Sequence, residues 1–396
     1  WSLGEAEPFD AWVLGTAVAI PLGLAIAGLL ASVFIPQAYC KYGCPTGALL
    51  KYVRTSNADE RWARRDTVAA LVLAVGAVIA FFPRGDAAAA EPADAAARQA
   101  ITELHGAAFG TTWTVKVRGD QVDAELLKRE LEAEMNRVEF SLSHWRASSA
   151  TSDFNQLEST QPFGITQELA ELTELGLGLS RATDGGYDLT VAPLTSLWGY
   201  GPDGQRPTPT SAQVLAALKQ VGWQKLTLDK TNLTLAKQHE KLSLDLGSLL
   251  QGYAADRAAQ ILRREGLGEF LVEVGGEVLA AGTWRVGLED PFQPRLTMET
   301  IVLTDRALGV SGLYRARKAA AGKPVSHILS PKTGEPIVTT LELAAVFHPD
   351  CVQADAWSTA LMAVGFEAAK LLAEREDLEV ILVTPDKQVW RRGKVK

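Results

Sequence analysis

The sequence predicts an α+β domain behind an N-terminal membrane segment of one or two transmembrane helices. Three observations carry that expectation. Composition changes abruptly near residue 100, several later segments repeat apolar residues at helical spacing, and strand-like stretches stand among them without regular β–α alternation. At 396 residues the chain is longer than one core usually organises. Its net charge of −8 argues against a general nucleic-acid binder. The 3 cysteines, Cys40, Cys44 and Cys351, are too few for a disulfide framework. The chain opens on Trp1 rather than Met, which predicts that upstream context is missing.

Residues 1–83 read as the membrane segment. From Ala11 to Tyr39 no residue is charged, a run longer than the roughly 20 apolar residues that span a bilayer. We place the first helix over about 11–36 and a second over about 67–83, in "TVAALVLAVGAVIAFF". The second run is short for a full span, so it either crosses a thinned bilayer or forms a signal-peptide core. Two buried core helices are the alternative, but uncharged runs of this length are rare in soluble domains. Lys41, Lys51, Arg54, Arg61, Arg64 and Arg65 lie between the runs, whereas Glu5, Glu7 and Asp10 precede the first. The positive-inside rule then puts the 40–66 loop in the cytoplasm and, if the second run spans, everything after it in the periplasm. The Ala-rich stretch 84–100 reads as a linker.

Within that loop, "YCKYGCPTGALL" places Cys40 and Cys44 four residues apart. The motif resembles the cysteine pairs of NosR/NirI-type and polyferredoxin-like membrane proteins. An iron–sulfur cluster normally takes four thiolates, so ligation here needs a partner pair from elsewhere. The alternative is two reduced thiols.

Residues 101–396 read as a soluble α+β domain. "ELLKRELEAEMNRVEFSLS" puts Leu127, Leu131, Met135 and Val138 on one helical stripe behind a capping Asp123. "ITQELAELTELGLGLSRAT" repeats the pattern through Leu169, Leu172, Leu175 and Leu179. "KLTLDKTNLTLAK" alternates about a polar turn as a hairpin does. "FLVEV", "WRVGLE", "TIVLT", "LELAAVF" and "LEVILVT" read as strands. "DLGSLLQGYAAD" (245–256) runs from an alternating strand into a helix with Ser248 near its start, where exposed N–H groups attract phosphate. "VEVGGEV" sets Gly275 and Gly276 between two strands, where a backbone can approach a ligand. "QADAWSTALMAVG" reads as a buried helix, yet it carries Asp355 and Thr359 one turn apart. A carboxylate among apolar neighbours either reaches water or faces something positive.

Taken in order, "FGTTW", "SHW" with "SDFN", "GGYDLTVAPL", "DLGSLLQGYAAD", "VGGEV" with "GTWRVGLEDP", "VSGLY", "HILSPKTG" and "ADAWSTA" resemble the FAD:protein FMN transferases, the ApbE family. The resemblance runs from about Gly106 to Val395. It implies a magnesium site made by the side chains of Asp355 and Thr359 and the backbone carbonyl of Ser248. Magnesium's preference for hard oxygens agrees with those residue types. It implies FAD as substrate, with Phe109 and Trp145 lining the flavin and Gly186, Tyr187, Asp188, Asp245 and Gln251 contacting it. Gly275 and Gly276 would allow its close passage, and Ser311 and His327 would lie near the pyrophosphate. FMN would pass to a Thr or Ser hydroxyl of a flavin-carrying subunit of a membrane electron-transfer complex, NosR-like proteins among the candidates, and AMP would leave. His327 is the expected general base and Asp245 the alternative.

The chain departs from the family pattern at Gln251 (commonly Lys or Glu), Leu189 (Pro), Glu277 (Asp) and Val310 (Thr), and Ala316 separates Arg315 from Arg317. These departures keep two other readings open. One is a non-catalytic FAD-binding redox or regulatory module, and the other is hydrolysis of FAD to FMN and AMP.

Overall fold

Strict alternation along the last strands sorts their side chains onto two faces of one sheet, and that sheet organises the domain. The structure, a computed structural model, describes residues 100–394 apart from 120–121, 314–317, 321–322 and 339. These residues belong to a compact unit spanning Ala97–Lys396. The expected membrane helices, Cys40, Cys44, the 84–99 part of the linker and Arg315–Arg317 lie outside the described residues. Among the described residues, no helix is long and apolar enough to cross a membrane.

A hairpin of β1 (Ile101–Ala108) and β2 (Thr111–Arg118) opens the domain and is followed by α1 (Ala124–Leu142) and α2 (Ala150–Gln156). Next come β3 (Phe163–Gly164), α3 (Gln167–Ala182), α4 (Ala192–Leu197) and α5 (Ser211–Leu218). The hairpin β4 (Leu226–Asp229) and β5 (Thr234–Lys237) precedes the long α6 (Gly247–Arg264). Strands β6 (Phe270–Val274), β7 (Glu277–Ala281), β8 (Thr283–Glu289), β9 (Thr297–Thr304) and β10 (Ala307–Gly312) then follow. After the short β11 (Lys318–Ala320) and β12 (Lys323–Val325) come β13 (Leu343–His348), α7 (Cys351–Val364), α8 (Phe366–Arg375), β14 (Glu379–Val383) and β15 (Val389–Arg392).

The main sheet has 8 strands in the order β1-β2-β6-β7-β10-β13-β14-β15. Every pairing in it is antiparallel, so the predicted α+β class holds. Ala344, Val346, Val380 and Leu382 point to the helical side, into the core shared with α1, α6 and α7. Leu343, Ala345, Phe347, Ile381 and Val383 point the other way, onto Trp284, Leu288, Ile301 and Leu303 of the β8–β9 hairpin. A sheet covered on both faces needs this period-two division of apolar residues.

The helices form where the periodicity predicts. Leu127, Leu131, Met135 and Val138 of α1 are buried, and Asp123 accepts the Leu126 N–H at 3.0 Å as the N-cap. Thr166 caps α3 in the same way. One expectation changes. The stretch leading into α6 is not a ladder strand: apart from a bridge between Val191 and Ser243 and the Asp245 N–H donating to Leu189 O at 2.8 Å, it has no strand partner among the described residues. Its backbone is served by a side chain instead: Asn155 Nδ2 donates to Leu244 O at 2.9 Å, and Leu244 N–H donates to Asn155 Oδ1 at 2.6 Å.

Candidate active site

The site forms where α7 is pressed between α6 and the middle of the sheet. Gly252 of α6 and Gly309 of β10 make this approach possible. A methyl group on Gly252 would lie 2.5 Å from Cys351 O, and one on Gly309 would lie 2.3 Å from the Ala354 carbonyl carbon. Asp355 sits in that wedge and is only 3% exposed. Its Oδ2 accepts the Gly252 N–H at 2.9 Å, and no Lys or Arg pairs with it among the described residues. Burial pushes its carboxyl up to about 8, and nearby Asp256 adds to the rise.

In a regular helix the Gly252 N–H would serve the carbonyl of Ser248. Asp355 competes for that donor, which leaves the Ser248 carbonyl with lone-pair capacity at the same place. Thr359, one turn along α7, shares a 2.9 Å hydrogen bond with Ser311 of β10, whose hydroxyl also meets Ser358 at 2.7 Å. The Ser248 hydroxyl meets Tyr187 Oη at 2.9 Å. Burial raises the Tyr187 phenol above its usual range, and the carboxylates of Asp245, Asp355 and Asp188 reinforce the shift. Asp355, Thr359, Ser311, Ser248 and Tyr187 therefore bring oxygen donors together from β10, α6, α7 and the turn after α3. One buried, uncompensated carboxylate with hydroxyls and a backbone carbonyl is a donor set suited to a hard divalent cation. Among the described residues, no group of three or more His, Cys, Asp or Glu side chains could hold a metal.

The other predicted residues take more varied places. Asp245 precedes α6. Its Oδ1 accepts the Gly247 N–H at 2.9 Å and its Oδ2 accepts the Thr195 hydroxyl at 3.1 Å, so both oxygens already have donors. The buried Asp188 is similarly committed, to Thr190 N–H, Thr190 Oγ1 and Trp223 N–H at 2.8, 2.7 and 2.9 Å. It shapes the turn that carries Gly186 and Tyr187. Gly186 is closely packed, since a methyl group there would lie 2.6 Å from Val364 Cγ1.

Gly275 and Gly276 close the β6–β7 hairpin at φ 66° and 112°, conformations that glycine adopts freely. Their N–H groups are used internally, by Thr112 O at 3.0 Å and Glu273 Oε1 at 2.7 Å. What the pair offers a ligand is therefore lack of bulk rather than N–H donors. Gln251 packs over this turn, its Cγ being 3.3 Å from where a Gly275 Cβ would stand. Phe109 occupies the β1–β2 turn, and Trp145 is 55% exposed. His327 has a buried Nδ1 without a partner. Tyr200 meets it edge-on at 6.4 Å, and burial lowers its pKa. Among the described residues, no hydrogen bond or ion pair joins His327 to the Asp355 group.

Sequence reasoning missed Asp256, although it closes the "DLGSLLQGYAAD" motif. Its carboxylate accepts Cys351 N–H at 2.8 Å and Val352 N–H at 2.9 Å, capping α7 from α6. The signal was available, because Asp256 lies four residues after Gly252 and so on the same helix face. We expect Asp256→Ala to leave the Cys351 and Val352 N–H groups without their partner and cost about 2–4 kcal/mol, read as a lower urea midpoint. His144 was also missed. It is buried, with Nδ1 3.7 Å from Asp245 Oδ1.

An antiparallel sheet under helices, with an oxygen-lined wedge at the α6–α7 junction and an exposed tryptophan, defines the class: an α+β domain with a hard-oxygen site. The model of the ApbE family matches residues 109–382. An FAD:protein FMN transferase of Klebsiella pneumoniae is 34% identical over 296 residues, 72% of this chain and 85% of that protein. One of Escherichia coli K12 is 33% identical over 298 residues, again 72% and 85%. Among solved structures, the flavin transferase ApbE of Vibrio cholerae superposes with a TM-score of 0.69 at 30% identity, covering 74% of this chain and 98% of that one. The apo flavinyl transferase ApbE of Pseudomonas stutzeri gives 0.66 at 31%, covering 74% and 95%. The chain belongs to the ApbE family.

Proposed function

We propose that this enzyme, of the FAD:protein FMN transferase type, moves FMN from FAD to a Thr or Ser hydroxyl of an acceptor flavoprotein in a magnesium-dependent reaction. The observation that carries the metal reading is Asp355, a buried carboxylate with one backbone donor and, among the described residues, no Lys or Arg paired with it, beside oxygen donors of Thr359, Ser311 and Ser248. Side chains of Asp355 and Thr359 and the Ser248 carbonyl would hold the magnesium. When bound, the ion supplies Lewis-acid neutralisation of pyrophosphate charge.

The chain's own groups position the reaction. The acceptor oxygen attacks the FMN-side phosphorus, the bond from that phosphorus to the bridging oxygen breaks, and AMP departs with the bridging oxygen and the bond's electron pair. The hydroxyl proton passes to His327. Its unpartnered buried Nδ1 and lowered pKa keep the imidazole neutral and able to accept at neutral pH. Asp245 suits the role less, since both its oxygens already accept hydrogen bonds. Trp145 offers a flat, exposed face for the isoalloxazine. The basic 40–66 loop supports anchoring in the inner membrane with this domain on the periplasmic side. There the acceptor would be a flavin-carrying, NosR-like subunit of an electron-transfer complex.

The test is intact-mass spectrometry of an acceptor domain after incubation with the purified full chain, FAD and magnesium. The expected result is an FMN adduct with stoichiometric AMP. AMP without adduct would make the enzyme a hydrolase, and FAD binding with neither product would leave only a flavin-binding module.

A further inference from the structure

The β1–β2 hairpin turns through two residues, Phe109 and Gly110, at φ 54° and 71°. Two-residue turns of this hand favour Asn, Asp or Gly. A phenylalanine with positive φ is a conformational outlier, and such outliers cluster at ligand-binding positions. The ladder pairs Ala108 with Thr111 and so imposes the two-residue turn, but Phe109 itself lies outside it. The Phe109 N–H instead donates to Glu139 Oε2 at 3.0 Å.

Glu139 is itself misplaced by ordinary rules. It lies on the core stripe of α1, one turn after Met135 and 7% exposed. A buried carboxylate persists only where it is paired. Its second oxygen, Oε1, accepts from Arg146 Nε at 3.0 Å and Nη2 at 2.6 Å. Arg146 follows Trp145 directly, and its guanidinium also covers Phe140 at 4.5 Å. One carboxylate thus grips two segments far apart in sequence. One carries Phe109 and the other carries Trp145, the two aromatic residues assigned to the flavin.

We infer that Glu139 is a positioning residue for the flavin, setting the Phe109 turn against the Trp145–Arg146 segment so that the isoalloxazine meets a preformed aromatic wall. The inference rests on the proposed use of FAD. Preorganisation of this kind acts on binding, so its loss raises KM more than it lowers kcat.

The test compares full-length wild type, Glu139→Gln, Phe109→Ala and the double variant by FAD fluorescence titration, visible circular dichroism of the bound flavin, and steady-state kinetics. Glutamine keeps the size of the side chain but has one acceptor oxygen for two partners. We expect Kd and KM for FAD to rise about tenfold with kcat within about threefold, and the flavin dichroism to change shape. In the Phe109→Ala background, Glu139→Gln should add less than its effect in wild type, because only its route through the Trp145–Arg146 segment remains. Wild-type affinity in Glu139→Gln, or effects that multiply in the double variant, would overturn the inference. Wild type that binds no FAD would sink the transferase reading instead. Should Glu139→Gln not fold, Arg146→Met loosens the same carboxylate from the Trp145 side: a raised Kd supports the inference and an unchanged one overturns it.

Discussion

Asp355→Asn is expected to abolish FMN transfer, with a fall in kcat/KM of about a thousandfold or more, while making the metal-free protein more stable. The first half follows from the several kcal/mol that a positioned divalent ion contributes to a phosphoryl-transfer transition state, each 1.4 kcal/mol being about tenfold in rate. The second half follows from burial. Asp355 is 3% exposed with one backbone donor, and its carboxyl moves from an ordinary 3.8 up to about 8 in the folded chain. Between those values the metal-free folded state holds a proton that the unfolded state has released. Unfolding free energy therefore falls as pH rises through that window. Asparagine carries no such proton. In EDTA, the melting temperature of Asp355→Asn should exceed that of wild type by a margin that widens from pH 5 to pH 8. Loss of transfer with a gain in stability would separate a functional carboxylate from a structural one. A variant that still flavinylates its acceptor would remove Asp355 from the metal site.

The contrast between Asp355 and Asp256 shows what could be read from the sequence. Asp355 was visible because it breaks an apolar helical pattern within its own segment, and a short-range pattern is what a linear reading detects. The α1 cap at Asp123, the leucine stripes of α1 and α3, the β4–β5 hairpin and strands β6, β7, β8, β9, β13 and β14 were legible for the same reason, whereas β1, β2, β10 and β15 were not read as strands. Asp256 serves N–H groups 95 and 96 residues away, and nothing near it in sequence announces those partners. Glu139 could have been noticed as a charge on a buried stripe, but its partner Phe109 N–H lies 30 residues earlier, in a turn whose φ no composition reveals. Sheet order was hidden likewise. Strands β2 and β6 are neighbours although α1–α6 and the β3-β5-β4 sheet intervene in sequence. Asp188 and Asp245 stood out as acidic residues in glycine-containing motifs, yet much of their hydrogen-bonding capacity shapes turns. Motif membership does not distinguish a carboxylate that touches a ligand from one that builds the loop beside it.

Gly309→Ala is expected to lower transfer about a hundredfold and the melting temperature with it, although Gly309 bears no chemistry at all. Its added methyl would stand 2.3 Å from the carbonyl carbon of Ala354, 2.4 Å from that oxygen and 2.4 Å from Asp355 N. Carbon atoms in contact sit about 3.5–4.0 Å apart. All three obstructing atoms are backbone, so no rotamer change relieves the clash, and α7 must move off β10 by an ångström or more. Overpacking of this kind typically costs about 1–3 kcal/mol. The movement carries Asp355 and Thr359 away from Ser248, and a displacement of about 1 Å at a reacting centre is worth about a hundredfold in rate. Gly178→Ala is the matched control. It lies in the interior of α3 with no atom within 4 Å of where its Cβ would stand, so alanine should gain about 0.5–1 kcal/mol of helix stability and leave transfer unchanged. Equal behaviour of the two variants would show that the α7–sheet approach does not set the site. The opposite response, with activity lost only at Gly309, would make the glycine contact the element that fixes the distance between the oxygen donors of α6 and α7.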